Sequence, residues 1–384
     1  MKSKDSTFTF SIQASAWLSA MRSALRAVIS KPVIPALEDL HVTIEDGYVR
    51  VEAGDTETWV SVSRQLIENQ GGGSFLIPAS LSAGPFTELG NTTLRFSVAP
   101  ESHVAVTWDE GMVTIPVFND VDWPGLPALE GEIKTAMLSG NDFTTAISLT
   151  EYAVSKEEVR PVLTGINVEF PGHGGGFRLV ASDAHRLVVT KSPDGGAPKA
   201  FSVLAPRRCI QLVKALSTIG DVISIRTDGR HLQFSLRQDD MLVVTSRIIE
   251  GKFPNWEAVI PKGDFSTAVV ATELLSQAID RAASCVGDSG ILRLSFEEGR
   301  LTLTAQDPGF LTYAEMIVPC VHEGEPVTVG LRAKLIAEVI AKAPWKKVRF
   351  ELRDPTRAVM MRDADEDEKK LHTAALVMPT MIEN

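Results

Sequence analysis

Asp183, His185 and Ser289 carry the side-chain types of a serine-hydrolase triad, in which a histidine accepts the serine proton and a carboxylate orients the histidine. Ser289 lies in the segment Gly287-Asp288-Ser289-Gly290, which has the composition of a serine-protease motif, and His173-Gly174-Gly175-Gly176 has that of an esterase oxyanion loop. The chain contains no G-x-S-x-G nucleophile elbow to accompany that loop. The sequence therefore favours a glycine-rich hairpin and a helix end at these places, with a hydrolase as the alternative from another functional class.

Residues that bind metals and cofactors lack the spacing that such sites require. Cys209, Cys285 and Cys320 are odd in number and far apart, and the acidic run 363–368 has Glu368 where a calcium loop of the EF-hand type needs glycine. Neither a phosphate-binding loop nor a dinucleotide fingerprint occurs. We therefore expect no metal and no cofactor, and the cysteine content predicts a reducing, cytoplasmic location.

Length and charge limit the class of protein further. The 384 residues are enough for two or three domains, and no apolar run reaches the ~18–20 residues of a membrane span. Residues 1–6 lead into a strand-like segment without the apolar core of a signal peptide. A formal net charge of −11 argues against a protein that coats nucleic acid with its whole surface, but it permits a basic surface of limited size.

Asp183 and His185 lie in a predicted turn between two strands. The apolar segment 177–180 precedes this turn and the segment 187–190 follows it, a pattern that favours a β-hairpin. Aspartate suits such a turn because its carboxylate accepts hydrogen bonds from nearby backbone N–H groups. The residues at the turn are therefore positioned by strands of a sheet.

The same turn recurs at a spacing of domain size. Asp55, Asp183 and Asp307 each end an Ala-x-Asp tripeptide after a predicted strand, and successive turns lie 128 and 124 residues apart. A second marker, a strand that runs into a helix, recurs every 126 residues. This period indicates three copies of one domain. The predicted domains are 1–130, 131–257 and 258–384.

The predicted helices carry more bases than acids. Nine lysines and arginines and six acids fall on them, a positive balance in an acidic chain. The nine bases are Arg22, Arg26, Arg207, Arg208, Lys214, Arg281, Arg332, Lys334 and Lys342. This balance fits either chance placement on solvated helix faces or a layer of helices that faces phosphate groups.

Three segments, in the same order along the chain, resemble the bacterial sliding clamp family, the beta subunit of the replicative DNA polymerase III holoenzyme. Residues 182–187, Ser-Asp-Ala-His-Arg-Leu, resemble the family's T-D-G-H-R-L turn. Residues 251–256, Gly-Lys-Phe-Pro-Asn-Trp, resemble its G-R-F-P-D-Y segment, and residues 376–379, Leu-Val-Met-Pro, resemble its terminal V-V-M-P. With the threefold repeat, the resemblance covers essentially the whole chain.

The resemblance implies an α+β fold of three sliding-clamp domains and a head-to-tail ring dimer. Helices would line the hole of this ring, and antiparallel sheets would form its outside. The family's subunit contact joins edge strands, which here implies residues 112–115 against residues 284–286. Bases of the lining would attract duplex DNA without reading its sequence. By resemblance Lys31, Arg207 and Arg208 occupy DNA-contacting positions, and the predicted helices add Arg22, Arg26 and Lys342.

The resemblance also implies a peptide pocket between the second and third domains. Its leucine, valine and methionine side chains would form an apolar slot for the anchors of short partner motifs, and Arg160 and Arg186 would hold carbonyl or acidic groups. Ala184 stands where the family has glycine, so we expect strain if the backbone there needs a positive φ. Ala258 replaces a family arginine at the rim. The implied pocket consists of Arg160, Leu163, Ser182, Ala184, His185, Arg186, Leu187, Pro254, Val259, Leu376, Met378 and Pro379.

This interpretation predicts a non-catalytic processivity factor. It would encircle duplex DNA as a homodimer, tether the polymerase III catalytic subunit, and bind clamp-loader subunits, other polymerases and repair proteins that carry clamp-binding motifs. A second possibility within the fold is a paralogous clamp for repair or a mobile element, or a variant resistant to a clamp-targeting antibiotic. The substitutions at Ala184 and Ala258 leave this second possibility open.

Overall fold

The computed structural model describes residues 7–100, 102–237, 241–286, 290–307 and 311–381. The chain divides into two compact units. The first unit comprises Met1–Asn141 and Arg208–Ile248, and the second comprises Asp142–Arg207 and Ile249–Asn384. The predicted central domain, 131–257, therefore contributes residues to both units.

The described residues form five α-helices, and none of these is long and apolar enough to cross a membrane. The helices are α1 (Ala14–Leu25), α2 (Gly140–Thr150), α3 (Arg207–Leu216), α4 (Thr272–Ala283) and α5 (Ala333–Lys342). Short 3-10 helices span Pro35–Glu38, Ala79–Leu81, Gly84–Phe86, Glu151–Ala153, Pro161–Leu163 and Trp256–Ala258.

The strands fall into three groups along the chain. The first group is β1 (Phe8–Gln13), β2 (Asp39–Glu45), β3 (Tyr48–Gly54), β4 (Thr58–Gln65), β5 (Glu68–Gln70), β6 (Gly73–Pro78), β7 (Thr93–Ala99), β8 (His103–Trp108) and β9 (Gly111–Pro116). The second is β10 (Lys134–Ser139), β11 (Gly165–Phe170), β12 (Phe177–Ser182), β13 (Arg186–Ser192), β14 (Phe201–Pro206), β15 (Val222–Thr227), β16 (His231–Arg237) and β17 (Leu242–Arg247). The third is β18 (Ser266–Ala271), β19 (Ile291–Glu297), β20 (Gly299–Asp307), β21 (Thr312–Glu323), β22 (Val327–Arg332), β23 (Lys347–Leu352), β24 (Val359–Asp363) and β25 (His372–Val377).

One pattern, a strand and a helix followed by three strands, accounts for most of these elements. It forms β1-α1-β2-β3-β4, β10-α2-β11-β12-β13, β14-α3-β15-β16-β17, β18-α4-β19-β20-β21 and β22-α5-β23-β24-β25. Strands β6 to β9 follow the same order, with 3-10 helices in place of the α-helix. Two such patterns make up each repeat of about 125 residues, which confirms the predicted threefold repeat of an α+β domain.

The spacing of apolar residues explains why these segments form these elements. In β2 the buried residues Leu40, Val42 and Ile44 alternate with more exposed neighbours, which is the period of a strand with one buried face. In α1 the buried residues Trp17 and Met21 lie one helical turn apart and pack toward β3 and β4. Helix α1 thus covers one face of the sheet that contains β3 and β4.

The first unit contains two antiparallel sheets. One has five strands in the order β5-β1-β7-β8-β9, and the other has eight in the order β10-β15-β16-β17-β4-β3-β2-β6. The larger sheet joins two repeats because β17 pairs with β4, with Thr245 opposite Trp59. Strand β9 lies at an edge of the smaller sheet, as the implied contact at 112–115 requires.

The second unit contains one sheet of twelve strands, in the order β14-β11-β12-β13-β25-β24-β23-β18-β21-β20-β19-β22. It also joins two repeats, because β25 pairs with β13 and Leu376 lies opposite Leu187. In both units, therefore, the last strand of one repeat pairs with the fourth strand of the preceding repeat.

Two predicted helices in the first repeat differ from the structure. The sequence pattern predicts a short helix at 81–89, but this segment forms 3-10 turns because Gly84 disfavours a helix and Pro85 has no N–H to donate. The pattern also predicts a helix at 14–29, but α1 ends at Leu25, so Arg26 is its C-cap residue.

Predictions at other helix ends were also wrong. The sequence predicts Thr272 as the cap of a helix, but Thr272 is the first residue of α4 and Ala271 holds the cap position. It also predicts Asn141 or Asp142 as a cap, but α2 begins at Gly140, so both residues lie inside its first turn. Residues 284–286, which the resemblance places on an edge strand, instead follow α4, with Ser284 as the C-cap.

Candidate functional site

The carboxylate of Asp183 holds the turn between β12 and β13. Its Oδ1 accepts hydrogen bonds from the backbone N–H groups of His185 at 3.0 Å and Arg186 at 2.9 Å. In the first unit, Oδ1 of Asp55 accepts hydrogen bonds in the same way from the backbone N–H groups of Glu57 at 3.1 Å and Thr58 at 2.8 Å. The predicted aspartate turn is confirmed at these two places, and the third turn, after Asp307, runs into residues outside the described ranges.

Ala184 lies in the left-handed region of backbone conformation, with a φ of 71°. Thr56, the residue after Asp55, has a φ of 81°. A side chain in this conformation costs on the order of 1 kcal/mol, whereas glycine adopts it freely. The expectation that Ala184 occupies a strained position is therefore confirmed.

Arg186 is 7% exposed, and its guanidinium faces other residues of the second unit. Nε donates to Oδ2 of Asp183 at 3.0 Å, Nη1 to Oε2 of Glu338 at 2.5 Å, and Nη2 to the carbonyl oxygen of Tyr152 at 2.7 Å. The guanidinium carbon also lies 5.1 Å from the centre of the Tyr152 ring. The resemblance implies that Arg186 holds carbonyl or acidic groups of a bound peptide, and the structure shows its guanidinium holding such groups of the second unit itself.

Three leucines of the implied pocket, Leu163, Leu187 and Leu376, meet in one buried cluster of the second unit. Met378 is half-exposed beside the end of β25, and its N–H donates to the carbonyl oxygen of His185 at 2.8 Å. The structure therefore brings together the turn, the apolar strands and the residue after β25. We call this group of leucines and its buried neighbours the apolar cluster; the other buried members are Val180, Val189, Leu204, Phe253, Trp256, Ala358 and Met360.

The remaining implied pocket residues lie outside this buried group. The hydroxyl of Ser182 donates to the carbonyl oxygen of Arg186 at 2.7 Å, so it stabilises the turn. Val259 is exposed, Pro254 is exposed in the preceding segment, and Pro379 is partly exposed after β25. Arg160 is exposed at the start of Pro161–Leu163.

Sequence reasoning missed four residues that the structure places at this site. Trp256 is absent from the implied pocket, yet it is buried and its Nε1 donates to Oε1 of Glu169 at 2.9 Å. The close spacing of two large aromatic residues in segment 253–256 was a usable signal for a core segment. Met360, Tyr152 and Glu338 gave no comparable signal. Burial raises the pKa of Tyr152, so its phenol stays neutral beside Arg186.

In the first unit, Arg22 and Arg26 are exposed and line one broad groove of about 480 Å³. Hydroxyl groups share this groove, and they come from Ser15, Ser19, Ser23, Ser217 and Thr218. Guanidinium and hydroxyl groups are among the side-chain groups that contact phosphate oxygens in protein–DNA complexes. Two of the predicted DNA-binding residues are thus brought together.

Arg208 has partners within the first unit. Its Nε lies 2.5 Å from Oδ2 of Asp55, and its Nη2 donates to the carbonyl oxygen of Ala27 at 2.7 Å. Arg208 therefore stabilises the aspartate turn, a role that the sequence did not indicate. Lys31 is exposed in the loop after α1, with a φ of 56°.

Two further predicted DNA-binding residues, Arg207 and Lys342, belong to the second unit. Arg207 is the first residue of α3 and is partly buried. Lys342 is exposed and is the last residue of α5, where a positive charge interacts favourably with the helix dipole.

Asp183 and His185, the two suggested hydrolase residues that the structure describes, are not paired as a triad requires. Asp183 bonds to the backbone of His185 and to Arg186 rather than to the imidazole of His185. Ser289 lies outside the described residues. His173 lies in the hairpin between β11 and β12. Burial raises the pKa of the Cys209 thiol to about 12, so this cysteine is not an activated nucleophile. Within the described ranges, no group of His, Cys, Asp and Glu is arranged to hold a metal ion.

Comparison with known sequences identifies relatives along the whole chain. Profiles of the DNA polymerase III beta subunit match its N-terminal domain at residues 8–127, its central domain at 137–255 and its C-terminal domain at 257–380. The beta sliding clamp of Haemophilus influenzae is 25% identical over 368 residues, which cover 93% of this chain and 96% of that protein. The beta sliding clamp of Pseudomonas aeruginosa is 25% identical over 376 residues, covering 96% and 99%.

Solved structures share the fold. The DNA polymerase III subunit beta of Pseudomonas aeruginosa aligns with a TM-score of 0.89 at 23% identity, covering 97% of this chain and 100% of that chain. The beta subunit of Thermotoga maritima aligns with a TM-score of 0.85 at 20% identity, covering 98% and 100%. Because the three profiles together span most of its length, this chain belongs to the DNA polymerase III beta subunit family, the bacterial sliding clamps.

Proposed function

We propose that this sliding clamp encircles duplex DNA as a ring of two copies, tethers the replicative DNA polymerase and recruits further partners through short peptides. The clamp is a processivity factor without a catalytic role, as its family is. The observation that carries the ring proposal is the strand junction between repeats, which occurs once in each compact unit.

Both junctions use the same two positions of the repeat. Strand β17 pairs with β4, and β25 pairs with β13. Among the described strands, the corresponding ones without such a partner are β9, which ends the first repeat, and the first part of β21, which is the fourth strand of the last repeat. A second copy supplies the missing partner at each edge, so two identical contacts close the assembly. This replaces the contact at 284–286 with one at β21.

Both free edges expose large side chains that a strand partner would cover. If β9 and β21 pair in the register of the two internal junctions, Thr114 of β9 lies opposite Tyr313 of β21. Met112 is 68% exposed and Tyr313 is 63% exposed, and Ile317 is exposed on the same strand as Tyr313. Exposed apolar residues on an unpaired strand favour pairing with another chain, which supports an interface at these edges.

Binding to DNA would rest on the predicted bases, which are Arg22, Arg26, Lys31, Arg207, Arg208 and Lys342. The groove that contains Arg22 and Arg26 supports this assignment for the first unit. Contacts with phosphates hold duplex DNA without reading its bases, so the ring can slide. Because Arg208 is already paired with Asp55, we expect it to contribute less than Arg22 or Arg26.

Partner binding would use the turn at 182–187 and the surface over the apolar cluster. Leu163, Leu187 and Leu376 provide an apolar base, and Met378 adds an adaptable side chain at the rim. Arg186 would act by fixing the turn, because its guanidinium is held by Asp183, Glu338 and Tyr152. The expected partners are the polymerase catalytic subunit, clamp-loader subunits, other polymerases and repair proteins.

We further propose three domains at 1–130, 131–257 and 258–384, and action on DNA in the cytoplasm. The matched family segments 8–127, 137–255 and 257–380 support these boundaries. The comparisons do not favour a paralogous or antibiotic-resistant variant over an ordinary clamp, and a family of non-catalytic subunits leaves no basis for a hydrolase.

Retention on DNA after assisted loading tests the ring. We expect the clamp to stay on circular duplex and to leave after linearisation, because free ends let a ring slide off.

Met112→Glu should convert dimers to monomers in sedimentation, because it buries a charge at the β9 edge. Met137→Glu is the matched control, since Met137 is an exposed methionine on β10, an edge strand of the other sheet. Equal loss from circular and linear DNA would overturn encirclement.

A further inference from the structure

A narrow cavity continues from the apolar cluster along the same face of the twelve-stranded sheet. Leu187, Val189 and Lys191 line it from β13, and Leu376 and His372 lie at corresponding ends on β25. Alternate residues of a strand share one face, so Leu187 and Lys191 are about 13 Å apart along β13. The cavity therefore runs from an apolar end at Leu187 to a polar end at Lys191.

The size of the cavity limits what can enter it. Its volume is about 60 Å³. That is several times the roughly 10–15 Å³ that one water molecule needs, but far below the roughly 300–1,000 Å³ of pockets for whole small-molecule ligands. It suits the side chains of an extended peptide rather than a cofactor or a nucleotide.

The ionic groups at the polar end are mostly paired with one another. Arg362 lies between two carboxylates, with Nε 3.2 Å from Oε1 of Glu351 and Nη1 3.4 Å from Oε2 of Glu366. Nε2 of His372 is 3.5 Å from Oε1 of Glu366, and Nδ1 of His372 lies 2.9 Å from the carbonyl oxygen of Lys370. Arg362, Glu351, Glu366 and His372 thus lie within ion-pairing distance of one another at this end of the cavity.

Lys191 is different from its neighbours. It is partly buried at the cavity, and among the described residues no carboxylate lies within ion-pairing distance of its Nζ. An unpaired ammonium next to an apolar floor is incompletely solvated and attracts a negative charge more strongly than a fully exposed lysine does. The cavity thus combines an apolar end with one uncompensated positive charge.

We propose that this cavity extends the partner-binding site and selects peptides that carry an acidic side chain beyond their apolar anchor. The anchor would lie at Leu187 and Leu376, and the Asp or Glu of the partner would pair with Lys191. An extended peptide covers the distance between these ends in about four residues. The inference rests on the proposed peptide-binding function and adds a charge rule to it, so Lys191 is a residue that determines specificity.

Selection from a random library of short displayed peptides tests the charge rule on the full-length clamp. Wild type, Lys191→Glu and Lys191→Gln are compared under identical conditions. Lys199→Glu is the matched control, because Lys199 is exposed next to β14, three strands from β13 in the same sheet. Peptides selected on wild type and on Lys199→Glu should carry an acidic residue about four positions from their apolar anchor. Peptides selected on Lys191→Glu should carry a basic residue at that position.

Fluorescence anisotropy then measures a selected peptide and its Glu→Gln form. At low ionic strength we expect the Gln peptide to bind wild type about threefold to fivefold more weakly, the upper part of the range for exposed ion pairs, because little salt screens the pair. On Lys191→Gln the two peptides should differ by less than twofold. A thermal unfolding curve of each variant confirms that it is folded, and Lys191→Gln supports the comparison if Lys191→Glu does not fold.

The outcomes separate the charge rule from the function on which it rests. If no peptide is selected on wild type, the proposed peptide-binding role falls, and the charge rule falls with it. If peptides are selected with apolar anchors but without acidic residues, or if Lys191→Gln keeps the preference for the Glu peptide, only the charge rule is overturned. Selection of peptides that pair a free terminal carboxylate with Lys191 instead of a side chain would also overturn it.

Discussion

Nη1 of Arg186 donates to Oε2 of Glu338 at 2.5 Å, and this bond joins the turn at 182–187 to helix α5 across 152 positions of the chain. The same guanidinium also bonds to Asp183 and to the carbonyl oxygen of Tyr152. A planar group with donors in three directions is needed for this geometry, which arginine supplies and lysine does not. The turn next to the apolar cluster is therefore fixed from within the second unit.

Replacing Arg186 by lysine should lower the free energy of unfolding by about 2–3 kcal/mol, because at least one buried acceptor loses its partner. Urea denaturation measures this change. Arg357→Lys is the control, since Arg357 is exposed and pairs only loosely with Asp354, and it should change the free energy by less than about 0.5 kcal/mol. Equal effects of the two substitutions would contradict a structural role for Arg186.

Replacing Ala184 by glycine should raise the free energy of unfolding by up to about 1 kcal/mol, because glycine adopts a φ of 71° without strain. Part of the gain is offset by the larger conformational entropy of glycine in the unfolded chain. In contrast, Ala181→Gly in the buried strand β12 should lower the free energy by about 1 kcal/mol. A loss of stability in Ala184→Gly would show that the position is not strained.

His41 gives the first unit a stability that depends on pH. Burial lowers the pKa of His41, but the hydrogen bonds and charges of Glu52 and Asp120, each 3.1 Å from a ring nitrogen, outweigh burial and raise the pKa above 6.5. The ring also stacks on Trp123 at 5.3 Å between centres. Protonated His41 therefore ties the segment around Asp120 to the sheet. This stabilisation is complete below pH 6.5 and is lost as the pH rises through the folded-state pKa.

Replacing His41 by glutamine should therefore cost more stability at about pH 6 than at about pH 9, where the wild-type imidazole is neutral. Thermal unfolding of both proteins over this range measures the difference. His103 is exposed, so His103→Gln should change the free energy by less than about 0.5 kcal/mol at either pH. A constant cost of His41→Gln across the range would show that the imidazolium adds nothing.

Replacing Arg22 or Arg26 by alanine should weaken binding to duplex DNA equally for all sequences. Each substitution should reduce the slope of log affinity against log salt by about one, because one phosphate contact is lost. Arg208→Ala should change the slope less, and it should lower the free energy of unfolding because Asp55 loses its partner. Titrations at several salt concentrations decide between these outcomes. Unchanged slopes for Arg22→Ala and Arg26→Ala would remove both residues from the DNA-binding surface.

The sequence by itself determined the repeat, the aspartate turns and most of the strands. These features depend on residues that are close in the chain, such as the carboxylate of Asp183 and the N–H groups two and three residues later. The alternation of buried residues in β2 is equally local. The substitution of Ala184 for glycine was interpretable for the same reason, since a turn fixes the φ of its own residues.

The tertiary structure alone decided which side chains are available for binding. Arg186 and Arg208 are bases of the implied binding sites, yet Glu338 and Asp55, each more than a hundred residues away in the chain, already hold them. Lys191 gave no signal in the sequence, and it lies beside the cavity with no carboxylate of the described residues within ion-pairing distance. Local patterns set the direction of the backbone, but the partner of a long charged side chain depends on which distant strands and helices pack beside it.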